Sequence, residues 1–373
     1  MKLQILDCKK KNNKYSISVE PKDIFYIDGK GGQLGDRGKI GNVNVLEVHE
    51  NEILVDDFIE NGEYSYTIDV ARQEDIAQQH TAQHVFSAIA FNEYNLNTVG
   101  FRMAEEYTTV DLDSNTLTEE VISQLEKRVN EVISQEIPLK IFTLDHEEAM
   151  KITDLRKSIN EKVVGDVRFV EIPEIDLGAC AGFHVENTGK IKIFKLINHE
   201  KIKGNFTRFY FLAGQRAIND YSFKHMMSRE LCHRFSCKDN EILDMVEKTI
   251  SSKLEAENEV KSLAGEYAEI LAKTLVQDAL VVNDKKIVVY YGNRSVGDML
   301  HKIIREDNIV IVTHSNENFA LSSQIVNCKE LIAYISKNNS EIKGGGNQVR
   351  GNFKGKMEKE QLLEIIKSYI ENM

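Results

Sequence analysis

Arg72-Gln-Glu-Asp-Ile-Ala-Gln-Gln-His80-Thr-Ala-Gln-His84-Val-Phe-Ser-Ala-Ile-Ala-Phe-Asn92 is where the hydrophobic period of this 373-residue chain changes. Upstream the apolar residues alternate with the period of strands, in Tyr15-Ser-Ile-Ser-Val19, Val43-Asn-Val45, Ile53-Leu-Val55 and Tyr64-Ser-Tyr-Thr-Ile68. Among these runs lies Gly29-Lys-Gly-Gly-Gln-Leu-Gly-Asp-Arg-Gly38, five glycines in ten residues, so residues 1 to 70 read as a small β module with one glycine loop. From Arg72 to Asn92 the pattern is that of a helix. Downstream, 109–113 reads as a strand and 117–135 as an amphipathic helix ended by Pro138. Strands follow at 168–172, 191–196 and 206–212. Strands and helices interleave in this way from about 71 to 220, which makes the fold α+β.

Further out, residues 215 to 275 look helical nearly throughout, with no proline and no glycine before Gly265. Leu243, Val246 and Ile250 begin a heptad-like stripe that Lys253 and Glu257 interrupt, so a helical pair or stalk fits better than a sustained coiled coil. From Leu280 apolar runs (Ile287–Tyr291, Ile309–Thr313, Leu331–Ile335) alternate with helical stretches (Val296–Glu306, Lys359–Ile370), the mark of a small α/β domain.

Composition bounds the function. Apolar residues make up 42% and charged residues 28%, which excludes wholesale disorder. No apolar run approaches the ~18 residues of a bilayer span, and the N-terminus has no signal-peptide core, so a soluble, cytosolic chain is expected. Five cysteines at irregular spacing argue against a disulfide framework. The net charge of −12 argues against a protein that coats itself in nucleic acid, yet two basic islands stand out. One holds Lys190, Lys192, Lys195, Lys201, Lys203 and Arg208 against the single acid Glu200; the other holds Lys343, Arg350, Lys354 and Lys356 among glycines. Each reads as a solvated surface or as a local contact for a polyanion.

Two pairs of residues suggest chemistry. His80 and His84, at i and i+4 on a helix, leave by one face and can reach one ion. Cys180 and His184 repeat the spacing in the glycine-flanked segment Gly178-Ala-Cys-Ala-Gly-Phe-His184, and thiolate with imidazole suits zinc. Ten histidines in this length would give about 0.3 His pairs at that spacing by chance, so the two pairs together carry the signal. The plain alternative is a core helix with two satisfied histidines and a buried cysteine. His225, Cys232, His233 and Cys237 form a weaker cluster on the helical segment. No Walker pattern occurs, because Ser or Thr never follows a Gly-Lys pair, and Thr81 stands where a zincin places its general-base Glu. The loop 29–38 and Gly344-Gly345-Gly346 read either as phosphate-cradling backbone or as tight turns.

These residues carry a resemblance. His80-Thr-Ala-Gln-His84, Cys180-Ala-Gly-Phe-His184 and Asn187-Thr-Gly189 resemble the editing domain of alanyl-tRNA synthetase, and more closely the freestanding alanyl-tRNA editing proteins (AlaX). The segment from Phe25-Tyr26 to Gly38 resembles the glycine motif of the family's N-terminal barrel, Thr98-Val-Gly-Phe101 with Thr109-Val-Asp-Leu112 its first pocket segment, and Ala213-Gly-Gln-Arg-Ala217 its exit into a helical linker. The tail through Gly346 resembles the C-terminal DHH-associated domain, which indicates the long form. The glycine loop departs from the family in Ile27-Asp-Gly-Lys30 and in Leu34, and the tail in Asn347-Gln-Val-Arg350.

The resemblance implies a β-barrel at 1–70, a zinc-containing editing domain at 71–220, a helical linker at 221–278 and a C-terminal α/β domain at 279–373. It implies a hydrolase that removes serine, or glycine, from mischarged tRNA(Ala), with Zn2+ held by His80, His84, Cys180 and His184. Thr98, His80, His84 and Cys180 would take catalytic roles; Thr98, Gly31, Gly32, Gln33, Gly344, Gly345 and Gly346 would contact the substrate. A homodimer through linker and C-terminal domain is also implied. Four protein ligands, however, describe a closed structural zinc site better than a catalytic one with an open place, so a tRNA-binding protein with structural zinc is the alternative. A small-ester or peptide hydrolase is a third reading.

Overall fold

The computed structural model describes residues 1–153, 155–159 and 165–373 and divides into two compact units, Met1–Glu230 and Leu231–Met373. In the first, the alternating runs close into a six-stranded barrel in the order β1-β2-β5-β4-β3-β6. The strands are β1 (Lys2–Lys11), β2 (Lys14–Glu20), β3 (Gly38–Ile40), β4 (Val43–Val48), β5 (Ile53–Val55) and β6 (Gly62–Ile68). Leu3, Ile5, Ile17, Val19, Val43 and Val45 point inward, and closure leaves no free sheet edge. The glycine loop between β2 and β3 is gathered around Asp28. Its carboxylate accepts from the backbone N–H of Gly35 and of Val48, each at 2.9 Å, and from the Arg37 guanidinium at 2.9 and 3.0 Å.

Helix α1 (Val70–Tyr94) begins at Asp69, whose side chain accepts from Arg72 N–H, and ends at Asn95 in the left-handed conformation (φ 54°). Every residue from Ile76 to Ala90 is buried, polar ones included, because the helix is covered on all sides. It packs on an antiparallel sheet of order β12-β13-β8-β7, formed by β7 (Thr98–Met103), β8 (Thr108–Leu112), β12 (Phe194–Ile202) and β13 (Phe206–Ala213). Helix α2 (Glu119–Ser134) adds Ile122, Leu125, Val129 and Val132 to a core centred on Phe86, Phe194, Phe209 and Phe211. A smaller sheet of order β11-β10-β9 comprises β9 (Lys140–Leu144), β10 (Val167–Ile172) and β11 (Asp176–Ala179), with a single helical turn, α3 (His146–Ala149), after β9. The strand expected at 191–196 starts only at Phe194. Asn187 caps a 3-10 turn at Thr188–Ile191, and Lys192 has a positive φ.

The expected continuous helix at 215–275 is two helices, α4 (Gly214–Phe235) and α5 (Ile242–Gln277), broken at Ser236 (φ 52°) and resumed after a 3-10 turn at Asp239–Glu241. The second unit contains a sheet of order β14-β15-β16-β17-β19-β18. Its strands are β14 (Leu280–Val282), β15 (Lys285–Tyr291), β16 (Ile309–Ser315), β17 (Asn318–Ser323), β18 (Lys343–Gly346) and β19 (Arg350–Lys354). Only β15 and β16 run parallel, joined through α6 (Arg294–Ile303). One face is covered by α7 (Cys328–Asn338) and α8 (Lys359–Glu371) over Ile287, Val289, Val310 and Val312. The other is covered by Ala264, Ala268 and Ala272 of α5 and Val296 and Leu300 of α6, over Val288 and Ile311. The apolar run Leu331–Ile335, expected as a strand, lies in α7. Asn327 caps that helix, and Cys328, Leu331, Ile332 and Ile335 are buried at helical spacing. No described helix is long and apolar enough to cross a membrane.

Candidate metal centre

His80 and His84 leave one face of α1, and the segment after β11 brings Cys180 and His184 against them. The four candidate ligand atoms all lie within 4.8 Å of one another, so the structure places this quartet to hold a metal ion. Cys180 Sγ is 3.5 Å from His80 Nε2 and 3.3 Å from His184 Nε2. His80 and His84 are buried, while Cys180 and His184 are half-buried. No other group of three or more His, Cys, Asp or Glu gathers in this way among the described residues, and His225, Cys232, His233 and Cys237 do not.

The donor chemistry fits a metal because each imidazole is held by its other nitrogen. His80 Nδ1 donates to Gln33 Oε1 at 2.8 Å, His84 Nδ1 to Asp176 Oδ2 at 2.8 Å, and His184 Nδ1 lies 3.1 Å from Thr81 Oγ1. With the Nδ1 atoms so engaged, the Nε2 lone pairs are left for an ion, the arrangement by which metal-binding histidines have tautomer and ring orientation fixed. Arg156 Nε donates to Asp176 Oδ1 at 2.8 Å and so steadies the carboxylate behind His84. Arg168 donates from one guanidinium nitrogen to Cys180 O at 2.6 Å and Gly182 O at 2.9 Å, holding the ligand loop in place.

Electrostatics agree with this assignment at Cys180, His80 and His184. Burial alone would raise the Cys180 thiol, but hydrogen bonds from His184, His80 and His84 hold it down at about 2, so the sulfur is a thiolate. Burial lowers His80, and lowers His184 to about 3, which keeps both imidazoles neutral. At His84 burial also works against the charge, but Asp176 and Cys180 outweigh it and raise the ring to about 9, so without an ion this ring carries a second proton, whose place on Nε2 an ion would have to take. Asp176, which burial would raise, is held at about 2 by His84 and Arg156.

The remaining sequence-predicted residues fall in different places. Thr98 opens β7, and its hydroxyl donates to Ser87 Oγ at 2.8 Å. Ser87 lies at i+3 from His84 and i+7 from His80, on the helix face that carries the ligands. Gly31 and Gly32 are in the barrel loop; a Cβ on Gly32 would stand 2.8 Å from the Phe101 ring, and φ there is +78°. Phe101 in turn stacks on His80, ring centroids 5.6 Å apart. Gln33 is not at the surface but beside His80. Gly344, Gly345 and Gly346 lie in the second unit and form a strand, β18, rather than a turn. At Gly344 a Cβ would meet Phe353 at 2.3 Å and at Gly346 the Arg350 carbonyl oxygen at 2.3 Å, so the close approach of β19 accounts for glycine at those two positions. Sequence reasoning missed Asp176, Arg156, Arg168 and Ser87 altogether, and weighed Thr81 only as a residue that is not Glu.

The comparisons with known proteins agree with the motifs. The family described as the threonyl and alanyl tRNA synthetase second additional domain matches residues 167–210, the stretch that contains Cys180 and His184. The protein named alanyl-tRNA editing protein AlaX-L of Pyrococcus horikoshii is 26% identical over 402 aligned residues, covering 99% of this chain and 96% of that protein. The alanyl-tRNA editing protein Aarsd1 of Bos taurus is 29% identical over 66% of this chain and 57% of its own length. An alanine–tRNA ligase of Thermoanaerobacter sp. is 28% identical over 79% of this chain but only 36% of the ligase. Along nearly its whole length, then, the chain is similar to the long-form freestanding alanyl-tRNA editing proteins.

Proposed function

We propose that the chain is a trans-editing deacylase that hydrolyses the ester joining a wrong amino acid, chiefly serine, to the terminal adenosine of tRNA(Ala). The observation that carries this reading is the quartet of His80, His84, Cys180 and His184, with three imidazoles anchored at Nδ1, beside an α1 face that also carries Thr98's partner Ser87. Zinc is the ion that one thiolate and three imidazoles suit, and when bound it supplies a Lewis acid and a site that lowers the pKa of water. In the reaction water adds to the acyl carbon, the ester C–O bond breaks, and the ribose oxygen leaves with a proton, giving free serine and intact tRNA.

The chain's own residues account for selection. Because the Thr98 hydroxyl gives its proton to Ser87, its oxygen keeps lone pairs with which to accept from a seryl hydroxyl, and alanine has no such group to offer. Glycine lacks the hydroxyl as well, so removal of glycine would rest on other contacts. Gly31 and Gly32 from the barrel would border the acyl end of the tRNA, whereas Gln33, buried beside His80, has no surface to offer it. Lys190 to Lys203, together with Lys343, Lys354 and Gly344–Gly346 on the second unit, would meet its phosphates. We assign the barrel to residues 1–70, the editing domain to 71–220, the linker to 221–278 and the C-terminal α/β domain to 279–373. Val260, Leu263, Tyr267 and Ile270 recur at heptad spacing on α5 and are exposed, which supports a homodimer through the linker. The reaction belongs in the cytoplasm, with translation.

The test is deacylation of matched Ser-tRNA(Ala) and Ala-tRNA(Ala) by zinc-replete wild type and by Cys180→Ala. Fast loss of serine, slow loss of alanine and an inactive variant are expected. Four protein ligands leave a closed site as the competing reading, and tight tRNA binding with no turnover on either substrate would establish that reading instead.

A further inference from the structure

Gln33 belongs to the glycine loop of the barrel, yet it is only 1% exposed. Its Oε1 accepts two hydrogen bonds, one from His80 Nδ1–H at 2.8 Å and one from the backbone N–H of Phe183 at 2.9 Å. A backbone N–H can only donate, so the amide oxygen must face these two groups and the amide cannot be turned over. The other end of the amide, Nε2, is buried with no partner among the described residues. As a space-filler this is a poor residue, because a buried donor left unpaired is destabilising and a Leu or Met of similar size would avoid it. What Gln supplies and they lack is an acceptor for the Nδ1 proton of a metal ligand.

The surrounding chain is shaped to let that oxygen in. A Cβ on Gly182 would stand 2.4 Å from Gln33 Oε1 and 2.2 Å from His80 Cε1. Tyr26, from the same part of the barrel, packs its ring 4.8 Å from that of Phe183. Position 182 therefore has no room for a side chain where the barrel loop, α1 and the ligand loop meet.

We infer that Gln33 is a positioning residue of the metal centre, through which the barrel loop fixes the tautomer of His80 and tethers the Cys180–His184 loop. The inference rests on reading the quartet as a metal site. Without this acceptor the His80 proton is free to sit on Nε2, where it blocks the lone pair that would bind the ion, and the ligand loop loses one of its ties. The N-terminal barrel is on this account part of the metal centre and not an appended module.

The test uses the full-length chain and metal alone. Zinc affinity is measured by competition with a chromophoric chelator, and Co2+ is added as a spectroscopic stand-in that reports thiolate and imidazole ligation. Wild type is expected to take up one ion. Gln33→Leu and Gln33→Met should bind zinc about 10- to 100-fold more weakly, with altered Co2+ bands, while the metal-free variants still unfold in one cooperative thermal transition. Gln33→Glu, which keeps an acceptor for both N–H groups, should recover most of the affinity. Wild-type affinity in both apolar variants would overturn the inference while leaving the metal site standing. A wild type that binds no metal would overturn the metal reading, and this inference with it.

Discussion

Replacing Thr98 by Val keeps the shape of the side chain and removes the one oxygen that the serine preference is assigned to. Ser87 Oγ receives two donors, Thr98 Oγ1–H and Gln83 Nε2–H, both at 2.8 Å, so Ser87 retains a partner after the substitution and the helix is not left with an orphan. The loss falls on the substrate: a seryl hydroxyl would enter a site with nothing to accept its proton. Leaving one neutral polar group unpaired costs about 1–3 kcal/mol, which corresponds to about a 5- to 150-fold fall in the ratio of Ser-tRNA(Ala) to Ala-tRNA(Ala) deacylation. Ser87→Ala should produce a smaller fall, about 2- to 10-fold, because Thr98 keeps its oxygen but loses the acceptor that orients it. The assay is single-turnover deacylation of both charged tRNAs, with zinc content measured alongside, since Thr98 makes no hydrogen bond to any of the four ligands. An unchanged ratio in Thr98→Val at full zinc occupancy would refute the assignment. An equal fall on both substrates would refute it too, because that would mark Thr98 as a packing residue.

Two further substitutions probe the supports of the fold and the site. Asp176→Asn leaves Arg156 opposite a neutral amide at a side chain only 1% exposed; breaking such a buried pair costs about 3–5 kcal/mol, to be read by urea unfolding of the metal-free protein. The same change should weaken zinc about 10- to 100-fold, because His84 loses the carboxylate that holds its Nδ1. Asp28, half-buried against Arg37, is expected to be one source of acid sensitivity in the barrel. Burial would raise its carboxyl, but Arg37 and the N–H groups of Val48 and Gly35 outweigh that and hold it below its ordinary value. A group lowered on folding stabilises fully above its unfolded pKa of about 3.9 and loses that contribution as pH falls through the folded value. Unfolding followed from pH 7 downward should therefore show wild type weakening below about pH 4, and Asp28→Asn should be less stable at pH 7 with a flatter acid limb. An identical acid limb in the variant would exclude Asp28 as its source.

How far the fold could be read from the chain depended on how local its signals were. Four of the six barrel strands and α1 announce themselves by period, which does not single out β1 or the three-residue β3; Asp69, Thr118 and Asn187 each cap the helical turn that starts at the next residue. Leu331–Ile335 misled because a five-residue apolar run satisfies both periods. Cys328 and Ile332 complete the i, i+3, i+4, i+7 pattern, and the asparagine at 327 is a helix start, so the longer window would have decided it. The break at 236–241 has no glycine or proline to mark it, and Ser236 takes the positive φ itself. The strand β18 was hidden for the opposite reason: three consecutive glycines read as a turn, whereas Gly344 and Gly346 are there because β19 passes too close for a side chain.

At the site the same logic separates donors from their supports. His80 with His84, and Cys180 with His184, are each four residues apart, and a spacing that short is visible in one dimension. Their Nδ1 partners are not: Gln33 lies 47 residues from His80, Asp176 lies 92 from His84, and Thr81 lies 103 from His184. Only the fold brings those contacts together, and one of the three crosses from the barrel into the domain that holds the ligands. A spacing motif transplanted without its barrel would thus keep all four ligands and lose the acceptor that prepares one of them. For that reason the zinc affinity of Gln33→Leu discriminates more sharply than loss of a ligand does. Removing Cys180 abolishes the site under any reading, whereas weakening it from a loop 47 residues away is expected only if the barrel belongs to it.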